Sequence, residues 1–289
     1  MTPHAASLTF DIEDWYHPEL VRAHVAKDDR RSVVHRGTMD LLDLLRRHRA
    51  RSTFFVLGDV AARHPDLVRR IVDEGHELAS HGFSHTSLWR LDREGFRAEL
   101  RDFRRAVKDA LGADPVVGFR APTFSIDRTT SWGLEVLKDE GFTYDSSIFP
   151  LKVKLYGVAG APLGIYRPAA DDLSRHDPAG ALVEFPVAVH EFAGLRLPVA
   201  GGFYLRALPR FVFEAALAAY VRRRPAALFV HPWEWVPDVP RVPLGAVDGF
   251  ITYHNLHAVP GRLERILSRH RCEPMIDILE RGGHLRRAA

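Results

Sequence analysis

Cysteine is almost missing from these 289 residues: Cys272 is the only one. A lone thiol forms no intramolecular disulfide and builds no cysteine-ligated metal site, so a buried, inert side chain is its expected role. Lysine is scarce as well, 5 of the 40 basic residues. The arginines that replace it do not alternate with aromatics as they would in a nucleic-acid groove. Neither sign of charge is in large excess, the formal net charge being +3, and nucleic acid is not an expected partner. No apolar run approaches the ~18 residues needed to span a membrane. The opening MTPHAASLTFDIEDW has no basic segment followed by a long apolar one. The expected setting is therefore cytoplasmic, at most peripheral at the inner membrane face. Internal repeats, low-complexity tracts and an obvious linker are also missing, and nothing in the sequence sets an oligomeric state.

What is present is a soluble composition, 46% hydrophobic and 27% charged, with a set of chemically suggestive motifs. TFDIEDW holds Asp11, Glu13 and Asp14, and ASHGFSH holds His81 and His85. Arg120 follows in RAPTF and His231 in VHPWEW. Carboxylates with two imidazoles suit a catalytic divalent metal, and a further Asp, Arg and His suit the proton transfers of a hydrolase around it. The combination points to metal-dependent hydrolysis.

The patterning predicts alternating strands and helices. Strands are expected at Ser7 to Ile12, Ser52 to Gly58, Gly75 to Ser80, Val116 to Phe119, Phe142 to Tyr144 and within LFVHPWE. Helices are expected at Gly37 to His48, Asp59 to Glu74 with a break at His64-Pro65, Asp92 to Leu111 and Ser131 to Glu140. Others are expected at Leu208 to Arg222 and Pro260 to Arg269, with Glu273 to Leu279 ending the fold. Leu151 to Phe203 reads as β-hairpins and loops, and Pro237 to His254 as an extended loop. Alternating buried strands and helices favour a β/α barrel or an open α/β layer, and the chemical residues fall just after strands, where barrel active sites lie.

Asp11 and Glu13 point the same way if their strand continues, whereas Asp14 joins them only if it has ended. Either Glu13 or Asp14 can thus be the carboxylate ligand, while Asp11 can take a proton from an attacking water. Arg120 could hold Asp11 ionised through a bidentate contact. Pro122 restrains the turn that presents a backbone N–H to developing negative charge. His231 can supply the proton an amine leaving group needs, with Glu184, Asp145 and Glu234 as candidates to orient it. Trp233, Trp235, Phe124, Phe149, Phe203 and Tyr204 are candidate walls of a sugar groove, and His17 is near enough in sequence to reach substrate.

TFDIEDW, ASHGFSH, RAPTF and VHPWE, in this order, resemble the motifs of carbohydrate esterase family 4, the polysaccharide deacetylases of the NodB-homology type. The later DSSIFP, GGFYLR, HPWE and YHNL resemble the subgroup associated with bacterial exopolysaccharide clusters. The resemblance implies a deformed (β/α) barrel, usually of seven strands, here with extra β-hairpins. It implies one domain over 1–289, with 237–289 as a C-terminal extension packed on it. It also implies a divalent ion, zinc first and cobalt or nickel as substitutes, held through Asp-His-His, and removal of acetyl groups from N-acetylated sugars.

By motif, Asp11 is the base, His81 and His85 are ligands, and Thr123 supplies the oxyanion N–H. The family's usual adjacent acids, TFDDG, are spaced differently here, so Glu13 and Asp14 both stay candidates. Substrate contacts are expected at His17, Pro122, Phe124 and Trp233, and the expected partner is an N-acetylated glycan or a lipid-linked oligosaccharide.

Overall fold

The computed structural model of the protein describes residues 3–286. The chain opens on β1 (Ala6–Ile12), then the short α1 (Glu19–Arg22) and the longer α2 (Val34–His48). β2 (Thr53–Val56), α3 (Gly58–Arg63), α4 (Pro65–Asp73), β3 (Glu77–Ser80) and α5 (Arg93–Leu111) follow. Next come β4 (Gly118–Phe119), α6 (Gly133–Asp139), β5 (Tyr144–Asp145) and β6 (Val183–Glu184). The hairpin β7 (Val189–Phe192) and β8 (Leu195–Pro198) leads to α7 (Gly202–Ala207), α8 (Arg210–Val221) and β9 (Ala226–Val230). The chain ends in α9 (Ala246–Tyr253), α10 (Val259–Arg269) and α11 (Met275–Arg281).

Seven of these strands form one parallel sheet in the order β6-β5-β4-β3-β2-β1-β9. Just beyond β6, Val187 makes a parallel bridge to Ala227 in β9, so the two ends of the sheet meet. With β4, β5 and β6 only two residues long, the ring is uneven, and the expected deformed seven-stranded barrel is the fold observed.

Alternation along β1 divides its side chains. Leu8, Phe10 and Ile12 join the large core shared with α2 through α6, whereas Ser7, Thr9 and Asp11 face the barrel interior. Deeper inside, Phe55, Ala79, Tyr144, Val183 and Ala227 pack with Met275, Ile278 and Leu279 of α11. The Met275 N–H donates to Thr53 Oγ1 and the Ile276 N–H to Glu77 Oε2, at the starts of β2 and β3. α11 therefore closes the N-terminal mouth. Because all seven strands run the same way, the residues after them share the opposite rim: Glu13, His81, Arg120, Ser146 and His231.

Several boundaries depart from the sequence expectation for reasons that lie outside the segment concerned. α2 starts three residues before Gly37, because Asp14, from the loop after β1, accepts from the Val33 and Val34 amides at 2.7 and 3.1 Å. A cap some twenty residues upstream leaves no local signature. Val183–Glu184, read within a section of β-hairpins and loops, is instead a parallel strand of the main sheet, since β5 supplies its partner. Gly202–Ala207, also read within and beside the loop section, is helical. Pro237 to His254 is not an extended loop throughout, since α9 occupies its second part. With Gly249 at its centre and Val247 and Phe250 exposed, α9 lacks the apolar stripe of an amphipathic helix. Among the described residues no helix is long and apolar enough to cross a membrane.

Gly37 shows how closely α2 packs on the rim. A Cβ there would lie 2.5 Å from the Pro232 carbonyl oxygen, in the turn after His231. Alanine normally gains about 1 kcal/mol over glycine within a helix, but overpacking costs about 1–3 kcal/mol. Gly37→Ala is thus expected to be net destabilising, measured as a lower urea midpoint at unchanged slope.

Candidate metal centre

Glu13, His81 and His85 form a buried group whose ligand-capable atoms all lie within 4.8 Å of one another. Glu13 and His81 are delivered by the ends of strands. Glu13 follows β1, where its N–H turns back onto the Asp11 carbonyl at 3.0 Å, and His81 follows β3. His85 is brought round by a loop in which Gly82 and His85 both adopt the left-handed conformation, at φ 78° and 58°. For a histidine that conformation carries strain, held in place by its surroundings.

The donor set fits a divalent ion. His81 Nδ1 donates to the Arg120 carbonyl at 2.8 Å, which places its proton there and leaves Nε2 as a free lone pair. Burial pushes His81 down to about 4, so the ring is neutral. Glu13 Oε2 lies against His85 Nε2 without hydrogen-bond geometry and has no donor of its own. Burial alone would raise the Glu13 carboxyl, but His85 and His231 outweigh it and hold it well below the carboxylate range. Two imidazoles and one buried carboxylate lacking a donor match the donor set expected of a divalent-ion site.

Asp14 is not part of this group. It turns away to the start of α2, with Oδ1 taken by the two amides and Oδ2 accepting from Ser32 Oγ. Of the two carboxylates left open by the sequence, Glu13 stands with the histidines. His17 is also behind the site rather than in its mouth. Its Nδ1 accepts from the Asp14 N–H at 3.0 Å, its ring stacks on His85 with centroids 5.6 Å apart, and burial pushes it down to about 3.

A cavity of about 240 Å³ opens over the cluster, lined among others by Asp11, Glu13, His81, His85, Thr123 and His231. Asp11 Oδ1 accepts from Arg120 Nη1 at 2.6 Å. The contact is single rather than the bidentate one expected. Nη1 is shared with Thr9 Oγ1 at 2.7 Å, and Nε and Nη2 are used by the Ser146 carbonyl and hydroxyl. Arg120 is completely buried, with Phe55 4.1 Å from its guanidinium carbon. Thr123 sits at φ 58°, ψ 24° in the turn after Pro122, and Phe124 joins the cavity wall. Pro122 itself is buried against Gly82, not among the lining residues.

His231 lies across the cluster, its Nε2 3.4 Å from Glu13 Oε1 and its Nδ1 2.8 Å from Glu234 Oε1. Burial favours the neutral ring, but Glu13 and the hydrogen bond to Glu234 together raise it to about 9. A cation on Glu13 would weaken that hold and bring the group back toward neutrality. Among the three acids considered, Glu234 is therefore the partner of His231. Trp233 stacks on His231 with centroids 5.6 Å apart and lines the cavity, as do Phe203 and Tyr204, whereas Trp235 packs against the core. Arg206, which the sequence did not single out, is buried beside Glu234. A second group, His35, His64 and Asp66, lies toward the surface, where His35 Nε2 and Asp66 Oδ2 pair at 3.0 Å.

Asp145 and Glu184 stand behind Arg120 as a pair of buried carboxyls. Asp145 Oδ2 and Glu184 Oε2 are both buried without a hydrogen-bond partner, and one proton held between the two carboxyls would satisfy both. Burial pushes Asp145 up to about 6, and burial with the Asp145 charge raises Glu184 well above its ordinary value. Both folded values exceed the unfolded ones. The pair's stabilisation is complete below the ordinary carboxyl range and is lost as pH rises through about 6 and beyond. Glu184→Gln can donate to Asp145 without the proton, so thermal melts between pH 6 and 8 should fall less steeply than in the unaltered protein. Equal slopes would count against proton sharing.

Residues 2–144 match the family model described as polysaccharide deacetylase, and residues 146–280 match the domain of unknown function DUF3473. The boundary falls inside β5, so both matched segments contribute strands to one barrel. A chitooligosaccharide deacetylase of Rhizobium leguminosarum bv. trifolii is 38% identical over 100 residues, 35% of this chain and 43% of that protein. Peptidoglycan-N-acetylglucosamine deacetylase PgdA of Listeria monocytogenes is 33% identical over 91 residues, 32% of this chain and 19% of that protein. The matches thus span less than half the length of these curated relatives.

Among solved structures, a Mycobacterium smegmatis protein provisionally named a polysaccharide deacetylase superposes with a TM-score of 0.64 at 24% identity, covering 99% of this chain and 93% of that one. A family 4 carbohydrate esterase from Streptomyces lividans gives 0.51 at 18% identity, covering 96% and 95%. At these identities the likeness concerns the fold.

Proposed function

We propose that this chain, a member of the polysaccharide deacetylase family of carbohydrate esterase family 4 with NodB homology, hydrolyses the acetamide of an N-acetylated amino-sugar glycan to acetate and a free amine. The observation that carries the reading is one cavity in which the Glu13, His81 and His85 group lies between a carboxylate on one side and a protonatable imidazole on the other. Glu13, His81 and His85 would hold the divalent ion, proposed as zinc. When bound, it supplies Lewis acidity to a water and to the acyl oxygen.

Asp11, fixed by Arg120, takes a proton from the water whose oxygen bonds to the acyl carbon. The Thr123 N–H, in its strained turn at the cavity wall, donates to the oxygen that gains charge. As the carbon–nitrogen bond breaks, His231 gives a proton from Nε2 to the departing nitrogen, its Nδ1–H being held by Glu234. Apolar and aromatic walls from Phe124, Phe203, Tyr204 and Trp233 suit the C–H faces of a pyranose. An exopolysaccharide or its lipid-linked precursor is the proposed source of that sugar, which fits the resemblance of GGFYLR and HPWE to the exopolysaccharide-associated subgroup.

The test is metal analysis with acetate release from N-acetylglucosamine oligomers, before and after chelation. Release that stops on chelation and returns with zinc is expected. Hydrolysis confined to small non-sugar amides would overturn the substrate class, and glycan binding with neither metal nor acetate would overturn catalysis.

A further inference from the structure

We propose that Arg206 is a positioning residue for proton donation by His231, and that building this proton-donating end is what the segment matched to DUF3473 does for the site. The inference rests on the deacetylase reading. Glu234 is buried with both oxygens committed. Oε1 accepts from His231 N–H at 3.2 Å and from Nδ1 at 2.8 Å, and Oε2 accepts from Arg206 Nε at 2.9 Å. A buried carboxylate without a counter-charge takes up a proton, and a protonated Glu234 could no longer hold the Nδ1–H of His231 by charge.

Burial would raise the Glu234 carboxyl, and Arg206 with His231 overcomes it and keeps it below its ordinary value. The rest of the Arg206 guanidinium is also spent. Nη2 donates to the Ile251 carbonyl at 3.1 Å, in the last turn of α9, and Nη1 to the carbonyl of His254, the C-cap residue after it, where helix-end carbonyls favour a cation. Its own carbonyl accepts from Asn255 Nδ2 at 3.2 Å.

The seat is shaped by sequence. Gly202 and Arg206 are four apart on α7 and so share a face. A Cβ on Gly202 would lie 2.0 Å from both carboxylate oxygens of Glu234. GGFYLR therefore leaves room for the carboxylate and then places a guanidinium on it. Neighbours of the same elements, Phe203 and Tyr204 from α7 and Ile251 and Thr252 from α9, line the cavity, so Arg206 ties the pocket wall to the proton donor.

The test compares an amide with an ester whose leaving group needs no proton. In zinc-loaded Arg206→Met, kcat for N-acetylglucosamine oligomers should fall about 10²-fold, within the span of general acid catalysis, at nearly unchanged KM. Hydrolysis of 4-nitrophenyl acetate should stay near the unaltered rate. Arg206→Lys, which keeps the charge, should recover part of the loss. A second readout needs no substrate: the His231 Nδ1–H resonance, protected from exchange in the unaltered protein, should be lost in Arg206→Met and retained in Arg206→Lys.

Equal losses on amide and ester, or an Nδ1–H indifferent to Arg206→Met, would overturn the inference. If Arg206→Met does not fold, Glu234→Gln must show the same selective loss on the amide, and its absence overturns the inference equally. Failure of the unaltered protein on the oligomers would instead count against the deacetylase reading, while the resonance still decides the role of Arg206.

Discussion

Substituting Asp11→Asn should lower deacetylation by about 10²–10⁴-fold, the range of general acid–base catalysis, while the metal content stays that of the unaltered protein. Asparagine keeps the shape of the side chain, and its Oδ1 can still accept from Arg120 Nη1, but it cannot take a proton from water. Asp11 is outside the Glu13, His81 and His85 group, so metal should be retained. The substitution also strips the counter-charge from Arg120, which is wholly buried. Breaking one side of a buried ion pair costs about 3–5 kcal/mol, so a clearly lower melting temperature should accompany the kinetic loss. Hydrogen bonds to Thr9 and Ser146 remain to hold the guanidinium, which favours the lower end of that range. Full turnover in folded Asp11→Asn would remove Asp11 from the role of base.

The neighbouring acids should respond in opposite ways. Glu13→Gln removes the one negative charge among the three proposed ligands. Loss of a partner that merely supports a ligand weakens metal affinity about 10–100-fold, so removal of a ligand should exceed about 10²-fold and take activity with it. Asp14→Asn, one residue later, should leave metal content and turnover near those of the unaltered protein. Its cost should be in stability, about 0.5–2 kcal/mol, as for loss of a helix cap, because Asp14 caps the start of α2. Isothermal titration with zinc and urea unfolding, run on both variants, read the two effects separately. Metal loss in Asp14→Asn with retention in Glu13→Gln would reverse the assignment.

Much of this protein is legible without coordinates, since hydrophobic periodicity and strand-end chemistry are local properties. Leu8, Phe10 and Ile12 alternating with Ser7, Thr9 and Asp11 already mark β1 as a strand with one face toward helices and one toward a polar interior. His64-Pro65 marks the break between α3 and α4 for an equally local reason, the restriction proline puts on the residue before it. TFDIEDW, ASHGFSH, RAPTF and VHPWE likewise carry the composition of a metal-dependent hydrolytic site in their residue types and order.

Tertiary structure decided whatever depends on a partner far along the chain. Glu13 and Asp14 are adjacent acids of similar chemistry, and only the arrival of the Val33 and Val34 amides at Asp14 separates their places. Asp145, Glu184 and Glu234 were equivalent candidates beside His231 until the barrel put two of them behind Arg120 and the third against Nδ1. Val183–Glu184 became a strand because β5 was there to pair with it. Arg206 had no local signal beyond GGFYLR, since its meaning comes from one carboxylate 28 residues later and two carbonyls more than 40 residues away. Sequence patterns report what a residue can do, while hydrogen-bond and charge partners, set by the closure of the sheet, decide which of those capacities is used.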